Sequence, residues 1–192
     1  MKESGQAVMN SKELKNAIRE DREYYFGGVK CIYRMLTYNP LYRRGKYIIA
    51  ARKAGYYATH SQSVINKIKL FWYTRKKNKL GEKLGIELGP SEFGRRIKIY
   101  HNNIIVNAGA VIGDDCEFYG DNCIGNKGSA SKPLDAPIIG DGVSFGVGVK
   151  AIGKVRIADN VRISSMSLVN KDIIEMNALY GGVPAIMIKK LR

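Results

Sequence analysis

From Ile139 to Val169 an apolar or small residue returns every sixth position: Ile139, Phe145, Ala151, Ile157, Ile163, Val169. Two residues ahead of each stands another, Pro137, Val143, Val149, Val155, Val161 and Ser167, and the same phase runs upstream through Ile112, Phe118 and Ile124. A helix repeats every 3.6 residues and an amphipathic strand every 2, so a period of six predicts a repeat architecture. Short apolar strands separated by turns wind into a prism with parallel sheets as its faces, each six-residue unit supplying one face. Gly113-Asp114-Asp115, Gly140-Asp141-Gly142 and Ala158-Asp159-Asn160 are turn-like, because these residue types tolerate positive φ. The alternative is a β-sandwich, which predicts turn signals about every 8–12 residues.

The phase breaks between Ile124 and Ile139, where residues 125–138 are rich in Gly, Ser and Pro. That composition predicts a loop thrust out of the coil stack, a common place for function and also for solvated filler. Upstream, Ser11 to Arg22 reads as a helix with Ser11 as its cap. Two further helices are predicted, one from Leu41 to about Thr59 behind Asn39-Pro40, the other from Gln62 to about Lys79. The domain reading is a basic helical module over 1–83 and a coil domain over 84–192, with the loop at 125–138 extruded from it and a C-terminal tail.

Charge follows that division. Residues 1–83 hold 19 Lys/Arg against 6 Asp/Glu, so the module carries +13 of the chain's +15. Its densest run, Lys67 to Lys79, interleaves cations with Phe71, Trp72 and Tyr73. Three readings stay open for it: a solvated helix face, an interfacial helix on an anionic membrane, and nucleic-acid binding, which no recognised motif supports. No membrane-span or signal-peptide pattern is present, and three cysteines without paired spacing suit reduced thiols. The expected location is therefore cytoplasmic, with the inner face of the membrane as an option. No Cys/His spacing suggests a metal.

The motifs Ile112-Gly113-Asp114 and Ile139-Gly140-Asp141, with the closing Gly181-Gly182-Val183-Pro184-Ala185, resemble the hexapeptide-repeat acyltransferases. That resemblance implies a mainly β fold, a left-handed parallel β-helix behind the N-terminal helical module. It also implies acetyl-CoA as co-substrate, no metal, and a homotrimer. The lead-in Asp21-Arg-Glu-Tyr-Tyr-Phe-Gly-Gly and Tyr38-Asn-Pro-Leu-Tyr-Arg is similar to that of serine acetyltransferases and of polysaccharide O-acetyltransferases. By residue type His101 is a structural or a catalytic histidine; the resemblance makes it the general base, with Glu87 orienting its ring. Gly146, Val147, Ser164 and Ser165 would line the pantetheine groove, and Lys150, Lys171 and Lys189 would meet the nucleotide phosphates. Tyr100, Asn103, Tyr119, Asn126 and Lys127 are expected on the acceptor side. Serine acetyltransferases carry Asp before the catalytic His and a second His in the following loop, whereas this chain has Tyr100 and no loop histidine. These departures favour a saccharide hydroxyl in surface-polysaccharide biosynthesis as acceptor. L-serine and a non-catalytic scaffold remain the alternatives.

Overall fold

The computed structural model describes residues 9–28, 31–89, 93–128 and 135–191. Four helices come first: α1 (Ser11–Phe26), α2 (Cys31–Leu36), α3 (Pro40–Thr59) and α4 (Val64–Leu84). Asn10, not Ser11, caps α1. Its Oδ1 accepts from the amides of Lys12 (2.9 Å) and Glu13 (3.0 Å), and Glu13 Oε2 accepts from the Asn10 amide at 2.7 Å. This reciprocal box satisfies donors that the first turn leaves without partners. Helix α2 was not anticipated, because its six residues bury nothing and so carry no amphipathic signal.

From Ile86 onward the chain is a coil of short strands. One face is five-stranded: β1 (Ile86–Leu88), β3 (Ile104–Val106), β6 (Asn122–Gly125), β9 (Lys150–Ile152), β12 (Leu168–Val169). A second holds β4 (Val111–Ile112), β7 (Ile138–Ile139) and β10 (Arg156–Ile157). The third comprises β2 (Lys98–Ile99), β5 (Glu117–Phe118), β8 (Ser144–Phe145), β11 (Arg162–Ile163), β13 (Ala178–Gly181) and β14 (Ile186–Lys190). All pairings are parallel except β13 with β14. Successive turns of the coil are 18 residues apart where Ile86 pairs Ile104 and Ile104 pairs Asn122. Across the loop the offset is 27, as for Val111 and Ile138, so the loop adds nine residues.

The six-residue phase marks the core. Ile112, Phe118, Ile124, Ile139, Phe145, Ala151, Ile157, Ile163 and Val169 are all buried, and Phe118 stacks on Phe145 at 5.0 Å. The Ile-Gly-Asp motif has a backbone reason. The Asp141 carboxylate accepts the Asp114 amide (2.7 Å), and Asp159 accepts the Asp141 amide (2.8 Å), forming a ladder along one edge. A side chain at Gly113 or Gly140 would collide with the neighbouring turn of the coil.

The first turn of the coil would expose unpaired backbone groups, and the helices cover them. The buried Tyr25 hydroxyl donates to Ile97 O (3.1 Å) and accepts from the Ile99 amide (2.9 Å), while Tyr47 accepts the Leu88 amide at 2.8 Å. Burial pushes the Tyr47 hydroxyl up to about 12, so it remains a donor-capable neutral group. Arg52 pairs with Asp21 at 2.5 Å, donates to Phe93 O (3.1 Å) and Gly94 O (2.8 Å), and lies over the Phe93 ring.

Candidate active site

His101 lies on the edge where the six-stranded face turns into the five-stranded one. Backbone bonds from the Tyr100, Tyr119, Gly146 and Ser164 amides to the next turn of the coil mark these residues as equivalent corner starts. Likewise the Asp121 amide donates to Asn102 O (3.1 Å), Gly148 to Gly120 O (3.0 Å) and Met166 to Val147 O (2.8 Å). Asn102, Gly120 and Val147 are therefore equivalent. His101 stands between Tyr100 and Asn102 and has no counterpart between Tyr119 and Gly120. It is an inserted residue, and the insertion pushes its side chain out to solvent on an otherwise regular edge.

Gly120 makes room for it. A Cβ at position 120 would come within 2.7 Å of the His101 Cβ, and the φ of +113° there is strained for any other residue. Asn122, an inward position with 1% exposure, fixes this corner from inside. Its Oδ1 accepts the Gly120 amide (3.0 Å) and its Nδ2 donates to Gly146 O (2.7 Å). Ser167 repeats the device two corners on, donating to Ser164 O at 2.7 Å and accepting the Gly182 amide at 3.1 Å. Gly120→Ala should therefore displace His101. We expect kcat for a reaction that depends on His101 to fall by about tenfold or more, since a misplacement near 1 Å costs that much, with a change in melting temperature of only a few degrees. An unchanged kcat in steady-state assay would show that Gly120 does not set the position of His101.

Beside His101, Tyr100 stacks on Tyr119 with ring centroids 4.6 Å apart. Both hydroxyls reach Glu117, Tyr100 on Oε1 and Tyr119 on Oε2, each at 3.3 Å, and Lys98 Nζ donates to Oε1 at 2.9 Å. Burial raises the Glu117 carboxyl, but the hydrogen bond and charge of Lys98 together with the Tyr100 and Tyr119 hydroxyls outweigh it and hold the group below the usual carboxylate range. On the other side, Arg44 donates to Asn102 Oδ1 at 3.2 Å. Its guanidinium is buried, and its Nε has no hydrogen-bond acceptor among the described residues. Neither Glu117 nor Arg44 was singled out from the sequence. A carboxylate or cation facing its site from a strand or helix distant in sequence leaves no motif.

Gly146, Val147, Ser164 and Ser165 fall on the His101 edge, two and three turns of the coil away, and Lys150 reaches the same edge through Asp121 O (2.6 Å). Tyr119 and Asn103 also border it, Asn103 through a 2.9 Å bond to Asp121. The remaining expected residues are elsewhere. Asn126, Lys127 and Lys171 sit on the opposite border of the five-stranded face, and Lys189 lies on β14. Glu87 pairs across β1 and β3 with Ile105, and no hydrogen bond joins it to the His101 ring among the described residues. Among the described residues no group of three or more His, Cys, Asp or Glu is placed to hold a metal ion, and no helix is long and apolar enough to cross a membrane.

The fold is a parallel β-coil capped by helices, with His101 inserted into one edge. Solved serine acetyltransferases share the coil and its helical part. The Brucella abortus enzyme in complex with coenzyme A superposes with a TM-score of 0.69 at 18% identity, over 95% of this chain and 70% of that one. The soybean enzyme complexed with serine gives 0.71 at 20% identity, over 93% and 70%. In sequence, the chain is similar to the serine acetyltransferase of Staphylococcus xylosus, at 25% identity over 167 residues, 86% of this chain and 66% of that protein. The chain spans between 37% and 66% of the length of the first curated relatives it matches. No family model matches it.

Proposed function

We propose that the chain is an acetyl-CoA-dependent O-acetyltransferase, with His101 as general base and a coil that winds left-handed as in the hexapeptide-repeat acyltransferases. The observation that carries this reading is the insertion of His101, and of no other residue, into an edge of stacked corners that continues through Gly146-Val147 and Ser164-Ser165. Neutral imidazole there takes the proton of an acceptor hydroxyl as its oxygen attacks the thioester carbonyl. The tetrahedral intermediate collapses with loss of the CoA thiolate, which takes up the proton. The pantetheine arm runs along Gly146-Val147 and Ser164-Ser165, where small residues admit a ligand close to the main chain. Lys150, which donates to Asp121 O at 2.6 Å, is a cation on that edge.

L-serine is the acceptor better supported, and the saccharide drops to second place. Relatives in sequence and in fold are serine acetyltransferases, one of them solved with serine. The saccharide reading keeps one observation, the Tyr100–Tyr119 stack where serine acetyltransferases carry an Asp. We also propose a homotrimer, since Ile105 (51%), Val147 (40%), Met166 (73%) and Val183 (70%) expose apolar surface around the same edge. Release of free CoA from acetyl-CoA tests the acceptor. The expected result is acceleration by L-serine and not by neutral saccharides. Acceleration by saccharides alone reverses the assignment, and no release with either supports a scaffold.

A further inference from the structure

Helix α4 carries a second surface that acetyl transfer does not use. Val64, Ile65, Ile68, Phe71 and Trp72 are exposed by 73%, 65%, 54%, 61% and 62%. At 100° per residue their positions fall within a sector of about 120°, so the N-terminal half of α4 presents one apolar ridge to solvent. Lys69, Lys76 and Lys83 recur at seven-residue spacing along its flank, and Lys67 lies on the other side. Two clefts open beside this lysine row. One, of about 560 Å³ between α1, α3 and α4, is lined by Lys15, Arg19, Arg22, Lys53 and Lys69. The other, of about 400 Å³, is lined by Arg43, Lys46, Lys76, Lys79 and Lys83. Each holds five cations and no carboxylate.

We infer that α4 docks on an anionic lipid surface, its ridge seated among the acyl chains and headgroups and its two clefts over lipid phosphates. The chemistry selects this occupant. A second copy of the chain would set a module of +13 against an identical one. A nucleic acid would match the cations but leave five large apolar side chains in water. A bilayer with anionic headgroups answers both, because basic flanks around Trp and Phe are the pattern of an interfacial helix. The inference is independent of the proposed acetyl transfer.

Trp72 is the only tryptophan in the chain, so its fluorescence reports the ridge directly. The full-length protein is titrated with vesicles of phosphatidylcholine, and of phosphatidylcholine with 30% phosphatidylglycerol, at low and high salt. We expect a blue shift with the anionic vesicles at low salt, half-maximal at a lipid concentration about tenfold or more below that for neutral vesicles, and weakened by salt. Ile68→Ser with Phe71→Ser should abolish the shift, and Lys69→Glu, Lys76→Glu, Lys83→Glu should remove the preference for anionic lipid. Far-UV circular dichroism checks that both variants fold, and His101→Ala should bind vesicles like the parent chain. No shift with either vesicle, equal affinity for both, or an emission already blue-shifted in buffer that reverts on dilution would overturn the proposal, the last pointing to a second copy. A shift produced by single-stranded DNA and not by vesicles would overturn it in favour of nucleic acid.

Discussion

His101→Ala should lower kcat for acetyl transfer by about 10²–10⁴-fold, the range that a positioned general base contributes. KM for acetyl-CoA should stay within about threefold, because the corners proposed to hold the cofactor, Gly146-Val147 and Ser164-Ser165, belong to other turns of the coil. Stability should change by less than about 0.5 kcal/mol, since the side chain is exposed and no ring hydrogen bond is made among the described residues. A loss confined to kcat separates chemistry from folding. A variant that keeps kcat within twofold removes His101 from the mechanism. Gly120→Ala then becomes the informative partner, for it leaves the imidazole in place chemically and shifts it physically.

The second large effect is on folding. Asp21 and Arg52 are an ion pair with side chains exposed by 0% and 2%, joining α1 to α3 under the first turn of the coil. Asp21→Asn preserves shape but leaves a buried guanidinium without its counter-charge. Breaking a buried pair in this way costs about 3–5 kcal/mol, which in a chain of this size lowers the melting temperature by about 10 °C. Arg52 also holds Phe93 O and Gly94 O, so the coil's first turn should loosen with it. Replacing both partners by apolar residues of similar volume should recover part of the loss, because neither charge is then stranded. Thermal unfolding followed by circular dichroism measures both variants. A drop below about 2 °C for Asp21→Asn would mean that the pair does not anchor the helices.

Much of this molecule was legible in its sequence, for a stated reason. Inward side chains in a β-coil stack on equivalents one turn away, so the phase had to survive in the residue types, and every residue of the six-fold series is buried. The helices at 40–59 and 64–84 were visible through Asn39-Pro40 and the apolar–basic pattern, although α4 continues beyond Lys79 until Gly85 ends it with φ of +62°. The N-cap was misplaced by one residue because Ser11 is as good a cap by type as Asn10. Only Glu13 three residues on distinguishes them.

The site was legible in part. The phase breaks at more than the loop: it slips by nine residues there, by one where Ile99 is followed seven residues later by Val106 instead of six, and back by one between the buried Leu88 and Phe93, which stand five apart. That second slip is the insertion of His101, and carrying the series upstream of Ala110 would have exposed it. Glu87 is an expectation from the resemblance, and the 18-residue turn of the coil sets it over Ile105, four residues after His101. Glu117, Arg44 and Asn122 were out of reach, since their partners come from other turns of the coil or from a helix 58 residues away. The acceptor moved from saccharide toward L-serine through the relatives, since the residue substitutions report what changed and not what is bound.

Hydrogen exchange on adding coenzyme A tests the central claim most directly, that one edge of the coil is the acetyl-transfer site. The account predicts slower exchange in peptides covering the corners at 146–148 and 164–166, on the same edge as His101, with the helical clefts unchanged. Protection confined to α1, α3 and α4, or none at saturating coenzyme A, would contradict it.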